Sequence, residues 1–137
     1  VKGTGNERGQ VGLANVFTTG LQAITGTNID LNGTSYTTTN SNITYAGNLD
    51  LDSAATLTIA TGVGAGNITV TGQIEDGSAA ESDTDLVLTA GTGNVDLLDN
   101  AGTTNKLSSL TVTLFFYTSY AADEQRGYNP VPGRTFT

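Results

Sequence analysis

The stretches Asn28-Ile-Asp-Leu31 and Asn48-Leu-Asp-Leu51 share one pattern, in which an asparagine is followed by an apolar, a polar and an apolar residue. The pattern returns at Asn67-Ile-Thr-Val70 and Asn94-Val-Asp-Leu97, so the four starts are separated by 20, 19 and 27 residues. Repeats of this length are typical of solenoids, in which short units stack along an axis. The internal repeat therefore predicts a solenoid rather than one globular core.

Short strands are expected throughout the chain, because apolar residues recur two apart, as in Leu57 with Ile59 and Leu86 with Leu88. The predicted strands include Ser35–Thr38, Asn42–Tyr45, Asn48–Asp52 and Thr56–Ala60. Such alternation turns one face of a strand inward, and strands this short suit the sides of a coil better than a sandwich. With about 20 residues to a coil, the chain would make about five coils. The expected fold is all-β, a parallel β-helix over residues 13–113, after an extended lead-in over residues 1–12.

The asparagine that starts each repeat has a structural explanation. Its side chain can bond nearby backbone and it tolerates left-handed φ, so it suits a tight corner and can stack from coil to coil. The same stacking of Ile, Leu and Val would form one long, thin core. We expect a charge placed in that core, at Leu51 or Val70, to prevent folding.

The charge of −8 is unevenly distributed along the 137 residues. No Lys or Arg occurs from Gly9 to Asn105, whereas ten acidic residues lie in that range. Nucleic acid is therefore not an expected partner, since binding it requires a basic surface. Cys and His are absent, which excludes thiol and imidazole chemistry, and no apolar run approaches the length of a membrane-spanning helix.

An acidic segment between two repeats is the candidate metal site. Its extra residues, 75–84, read as a loop that projects from one corner and is rich in oxygen ligands of the kind that Ca²⁺ prefers. The spacing matches neither an EF-hand nor the glycine- and aspartate-rich calcium nonapeptide, and a purely solvated loop is the alternative interpretation. Asp50 and Asp52, two apart on one strand, are weaker candidates. The predicted calcium ligands are Glu75, Asp76, Glu81, Asp83 and Asp85.

Catalysis is not expected. Some β-helices are polysaccharide lyases or hydrolases, and those reactions need opposed carboxylates or a base with nearby cations. The carboxylates are present here, but residues 9–105, which make up most of the predicted solenoid, contain no Lys or Arg. Five tyrosines could stack on sugars: Tyr36, Tyr45, Tyr117, Tyr120 and Tyr128. Tyr45, however, is in phase with Ile43 and fits core packing better, and Tyr117 and Tyr120 flank the tail.

Several stretches resemble the repeats of filamentous-haemagglutinin-type bacterial surface proteins. They are Ile29-Asp-Leu-Asn-Gly-Thr-Ser-Tyr-Thr-Thr38, Ile43-Thr-Tyr-Ala-Gly47, Gly66-Asn-Ile-Thr-Val-Thr-Gly72, Leu86-Val-Leu-Thr-Ala-Gly-Thr-Gly-Asn-Val95 and Leu107-Ser-Ser-Leu-Thr-Val-Thr113. The resemblance spans roughly residues 20–113. It implies a right-handed parallel β-helix that is exported to the cell surface and serves as a stalk, adhesin or matrix fibre.

Residues 114–137 depart from the repeats and are expected to form an aromatic strand and a tail. Tyr128-Asn-Pro-Val-Pro-Gly-Arg-Thr-Phe-Thr137 is similar to the end of TonB-dependent outer-membrane receptors, over ten residues only. Because the two ends of a solenoid leave backbone groups unpaired, this tail is expected to cap the rod or to join a neighbour. The predicted interface residues are Leu114, Phe115, Phe116, Tyr117, Tyr120 and Phe136.

Together these features predict an extracellular structural protein at the cell surface. It would be a fragment of an adhesin or stalk, or a fibre subunit that joins head to tail by strand addition, with like subunits as partners. A monomeric carbohydrate-binding adhesin module is the main alternative, and a polysaccharide-active enzyme is a further one. Electron microscopy of the chain without residues 114–137 separates assembly from the monomeric alternative.

Overall fold

The structure, a computed structural model, describes residues 9–53, 55–77 and 83–115. These residues form eleven strands and no helix. Most strands are short, because glycine and asparagine corners interrupt them. The strands are β1 (Gln10–Leu13), β2 (Val16–Thr18), β3 (Gln22–Leu31), β4 (Ser35–Thr38), β5 (Ile43–Leu51), β6 (Thr56–Ala60), β7 (Ile68–Val70), β8 (Ile74–Asp76), β9 (Asp85–Thr89), β10 (Val95–Leu97) and β11 (Ser109–Thr113).

All strand pairs are parallel, and they form three faces around one core. The first face contains β1, the second halves of β3 and β5, and β8. The second face runs β2, β4, β6, β9 and β11. The third face contains the first halves of β3 and β5, then β7 and β10. This arrangement is a parallel β-solenoid, as the sequence predicts.

The solenoid makes about four turns, where the sequence pattern suggests about five. Equivalent positions on the first face are Val11, Ile29, Leu49, Ile74 and Ala101, which are 18, 20, 25 and 27 residues apart. The later turns are longer than the assumed 20 residues, so fewer of them fit. β1 begins at Gln10, inside the range predicted as lead-in.

The four asparagine repeats belong to two different corners of the solenoid. Asn28 and Asn48 are paired at the start of first-face strands. Asn67 and Asn94 directly precede β7 and β10 on the third face. The 19-residue interval between Asn48 and Asn67 is therefore less than one turn.

The core consists of columns of aliphatic side chains that stack from turn to turn. Ile24, Tyr45, Val70 and Leu97 occupy one column of the third face. Tyr45 and Val70 are fully buried, which confirms the expected packing of Tyr45. One column of the first face changes from apolar to acidic side chains along the rod. It contains Leu13, Leu31 and Leu51 and then the buried carboxyl group of Asp76.

The corner between the first and third faces depends on glycine. The pairing of β3 with β5 shifts between Thr25 and Asn28, where Gly26 and Gly47 lie next to each other. A Cβ atom at Gly47 would overlap the carbonyl oxygen of Gly26, and Gly47 has a φ of 150°. The close approach of the two backbones explains why β3 and β5 continue through this corner.

Candidate functional site: an acidic ladder and the two ends of the solenoid

A ladder of asparagine side chains runs along the corner before the third face. The Oδ1 atom of Asn42 accepts a hydrogen bond from the backbone N–H of Asn67 at 2.8 Å, and Oδ1 of Asn67 accepts one from the N–H of Asn94 at 2.8 Å. In return, the backbone N–H of Ile43 donates to the carbonyl oxygen of Asn67 at 2.8 Å. Each asparagine therefore bonds the backbone of the next turn, as expected of a corner ladder.

An acidic ladder, formed by Asp30, Asp50 and Glu75, lies on the outer side of the first face. These residues pair in register across neighbouring strands, about 4.8 Å apart along the rod axis. The Nδ2 group of Asn28 donates to Asp30 Oδ1 at 2.9 Å and to Asp50 Oδ2 at 2.5 Å. Gln10 Nε2 donates to Asp30 Oδ2 at 2.6 Å. Side-chain amides thus supply donors in a region whose sequence has no Lys or Arg.

Glu75 ends the acidic ladder and holds the segment of residues 103–105. Its Oε1 accepts from Thr103 Oγ1 at 2.6 Å, and its Oε2 accepts from the backbone N–H groups of Thr104 at 3.0 Å and Asn105 at 2.7 Å. Desolvation raises the pKa of Glu75, but these hydrogen bonds outweigh it, so the pKa is lowered overall. The carboxylate form therefore stabilises this part of the fold.

Asp52 shows the opposite shift. Desolvation is the largest cause that raises its pKa, and the nearby charges of Asp30, Asp50 and Asp76 raise it further. The backbone N–H of Asp52 donates to the carbonyl oxygen of Leu31 at 3.0 Å, which fixes the residue beside the acidic ladder. Repulsion among like charges is thus built into the first face.

The predicted calcium ligands lie in different parts of the fold. Glu75 faces outward on β8, whereas its neighbour Asp76 faces inward, is buried and accepts from the N–H of Thr84 at 3.0 Å. Asp85 lies on the second face and accepts from Ser109 Oγ at 2.7 Å.

Asp83 is exposed, and Glu81 lies outside the described residues. The part of the chain that the structure describes contains no group of three or more acidic side chains able to hold a metal ion. Calcium binding that involves Glu81 stays a prediction.

Two tyrosines considered as sugar platforms are fully buried. The hydroxyl of Tyr36 donates to the carbonyl oxygen of Leu13 at 2.7 Å and accepts from the N–H of Gly33 at 2.8 Å. Tyr45 is buried too, and its hydroxyl has no hydrogen-bond partner in the part of the chain that the structure describes. Burial raises the pKa of both phenols. Neither ring is available to stack on a sugar.

The N-terminal end of the solenoid contains an open, mostly apolar pocket of about 300 Å³. Gln22 lies in this pocket and is 5% exposed, and its Nε2 donates to the carbonyl oxygen of Thr37 at 2.7 Å. Its Oε1 has no hydrogen-bond partner among the described residues. Sequence reasoning missed this residue, although it pairs with Ile43 and precedes an otherwise aliphatic column. The pocket is lined by Leu13, Val16, Thr18, Leu21, Gln22, Ala23 and Ile24.

The C-terminal end of the described solenoid also exposes apolar side chains. Leu110 and Val112 of β11 pair with the buried Leu86 and Leu88, yet they are 42% and 45% exposed. Among the described strands, β11 pairs with β9 alone.

Of the predicted interface residues, the structure describes two. Leu114 packs partly against the core, and Phe115 is 47% exposed and donates its N–H to the carbonyl oxygen of Gly91 at 2.5 Å. The other four, Phe116, Tyr117, Tyr120 and Phe136, lie outside the described residues.

A scan against protein-family models and searches of curated proteins and of solved structures found no match to this chain. Among the described residues, no helix is long and apolar enough to cross a membrane. The likeness to filamentous-haemagglutinin-type repeats therefore depends on the sequence pattern alone.

Proposed function

We propose that this protein is an extracellular structural rod at the cell surface, a stalk or fibre subunit whose copies join head to tail. The observation that carries the proposal is that apolar columns stop at both ends with their side chains accessible. Val112 is 45% exposed at one end, and the apolar pocket opens at the other. Accessible apolar surface of this kind marks interaction sites.

The geometry of a solenoid favours end-to-end joining. A strand added to β11 would continue the parallel ladder, because the outer edge of a terminal strand presents free N–H and C=O groups. The two ends of the rod differ in sequence, so the contact is heterologous and repeats without closing. The proposed joining segments are Leu114 to Tyr120 and Arg134 to Thr137.

The resemblance to haemagglutinin-type repeats supports the surface location. Catalysis is no part of the proposal, since residues 9–105 contain no Lys, Arg or His to stabilise an anionic transition state. A sugar-binding role has less support, because Tyr36 and Tyr45 are buried rather than exposed in a groove. The acidic ladder would keep the sides of neighbouring rods apart.

The test compares the full chain with a variant that lacks residues 116–137, by electron microscopy and sedimentation across a range of protein concentrations. The full chain is expected to form filaments or oligomers that grow with concentration. The truncated chain is expected to stay monomeric and to retain its β-sheet circular dichroism spectrum, because residues 9–115 hold the described strands. A full chain that remains monomeric at every concentration contradicts the proposal.

A further inference from the structure

The pocket at the N-terminal end is suited to an aromatic side chain that carries a hydrogen-bond donor. Its apolar walls include Leu13, Val16 and Ile24, with Leu21 at 66% exposure beside them. A ring inserted between them would remove apolar surface from water on both partners. The apolar walls would accept many apolar groups. Gln22 narrows the choice, because its side-chain oxygen requires a hydrogen-bond donor.

Gln22 carries a buried acceptor that lacks a donor. Its Nε2 group donates to the carbonyl oxygen of Thr37, and this contact fixes the orientation of the amide, because a carbonyl oxygen can only accept. Within residues 9–53, 55–77 and 83–115, Oε1 has no hydrogen-bond partner, although the residue is only 5% exposed. An unpaired buried acceptor destabilises the structure, and an incoming O–H group would remove that cost.

The position of Gln22 in its column makes this feature specific to the end of the rod. The following residues of the same column are Ile43, Ile68 and Val95, all aliphatic. An aliphatic residue at position 22 would extend that column. Instead, the single amide stands in the terminal turn, where the pocket opens.

The chain itself contains a segment with the required chemistry. Of its five tyrosines, Tyr36 and Tyr45 are buried in the core, and the other three, Tyr117, Tyr120 and Tyr128, all lie in residues 116–137. This segment follows Phe115, which is at the end of the rod opposite to the pocket. It contains two acidic and two basic residues, so its net charge is zero. The acidic solenoid therefore does not repel it, whereas it would repel an acidic segment.

We propose that the pocket lined by Leu21, Gln22 and Ile24 receives the aromatic segment 116–137 of a second copy, and that a tyrosine hydroxyl of that segment donates to Gln22 Oε1. The inference rests on the proposed head-to-tail assembly and names its receiving surface. Tyrosine combines a large apolar ring with a hydroxyl donor, which is the combination that the pocket requires.

Leu21 offers the clearest substitution, because a side chain that is 66% exposed contributes little to the stability of the fold. Leu21→Glu places a charge at the mouth of the pocket and is expected to weaken assembly about tenfold or more. Val63→Glu is the matched control. Val63 is 70% exposed and lies in the middle of the rod, and this variant is expected to assemble as the unaltered chain does. Circular dichroism melts confirm that both variants fold.

The absence of cysteine from the chain allows a direct test of contact. Full chains with Leu21→Cys are mixed, under oxidising conditions, with full chains that carry Tyr117→Cys, Tyr120→Cys or Tyr128→Cys. At least one mixture is expected to give a disulfide-linked heterodimer, whereas Val63→Cys in place of Leu21→Cys is expected to give none. The double variant Leu21→Cys/Tyr120→Cys distinguishes bonds within one chain from bonds between chains.

Each outcome has a defined meaning. If filaments form but Leu21→Glu and Val63→Glu assemble equally well and no heterodimer appears, the pocket proposal is overturned and head-to-tail assembly stands. If the double variant forms disulfides only within single chains, the segment folds back on its own rod, and the second copy is overturned as the occupant. If the unaltered chain never assembles, the proposed function itself fails.

Discussion

Asn67 shows how one side chain defines a corner of this solenoid. Its Oδ1 atom accepts from the N–H of Asn94 in the next turn, while its own N–H donates to Asn42 in the previous turn. Asn67→Ala leaves the Asn94 N–H without this acceptor, and the free energy of unfolding is expected to fall by about 1 kcal/mol. Urea titration of the circular dichroism signal measures the change.

Asn67→Asp is the matched control for this prediction. It keeps an oxygen acceptor at the same position, but it replaces the Nδ2 donor by a second oxygen and adds a negative charge. In high salt, which screens that charge, its stability is expected to lie closer to that of the unaltered chain. Equal losses in the two variants would show that the Asn94 hydrogen bond does not hold the corner. The corner role of asparagine was predictable from sequence, because the side chain recurs before an apolar alternation.

Gln22 was not predictable in the same way. In the sequence it stands between Leu21 and Ala23. Of the two residues at a spacing of two, Gly20 and Ile24, only Ile24 is a large apolar residue that suggests an inward-facing position. Only the register with Ile43 places it in a core column. Pairing between turns is a non-local property, which a single sequence does not encode in its local pattern.

Strands were predictable where alternation is unbroken and corners are sharp. β4 and β6 have the predicted bounds, Ser35–Thr38 and Thr56–Ala60. β5 joins two strands predicted separately, because its pairing continues past the close contact of Gly26 with Gly47. β8 was missed as a strand, since Ile74 is its one apolar residue and the rest of it reads as an acidic loop.

The strands of the first face carry a test of pH dependence. The pKa of Asp52 is raised in the folded state, so its ionised form destabilises the fold, and this cost appears as pH rises from the unfolded value of 3.8 through the folded value. Asp52→Asn removes the cost and is expected to raise the melting temperature at neutral pH. The gain should shrink as pH falls through the carboxyl range, where Asp52 is protonated in both states.

Glu75→Gln provides the contrast on the same face. The pKa of Glu75 is lowered, so its carboxylate stabilises the fold above the unfolded value of 4.5, and this stabilisation is lost as pH falls through the folded value. The variant is expected to melt at a lower temperature at neutral pH, with the difference vanishing in acid. The charges of Asp30, Asp50 and Asp76 act on Asp52, so melts at several salt concentrations should show screening of the Asp52 effect. Shifts of the same sign in both variants would contradict this account.

Stability along the rod follows from its stacked architecture. Each turn contacts only its neighbours, so an inner turn has two partners and a terminal turn has one. β5 pairs with β3 on one side and with β7 and β8 on the other, whereas β1 pairs only with β3 among the described strands. Local opening therefore costs most free energy in the middle of the molecule.

Hydrogen exchange measured by mass spectrometry tests this gradient. At low protein concentration, amide protection is expected to be highest in peptides that cover β5, β6 and β7 and to fall toward β1, β2 and β11. At concentrations where the chain assembles, protection should rise at β2 and the start of β3, because a second copy covers the pocket there, while β6 stays unchanged. Uniform protection at low concentration would show instead that the rod opens as one cooperative unit. The terminal turns would then be as stable as the inner turns, which contradicts the expected gradient.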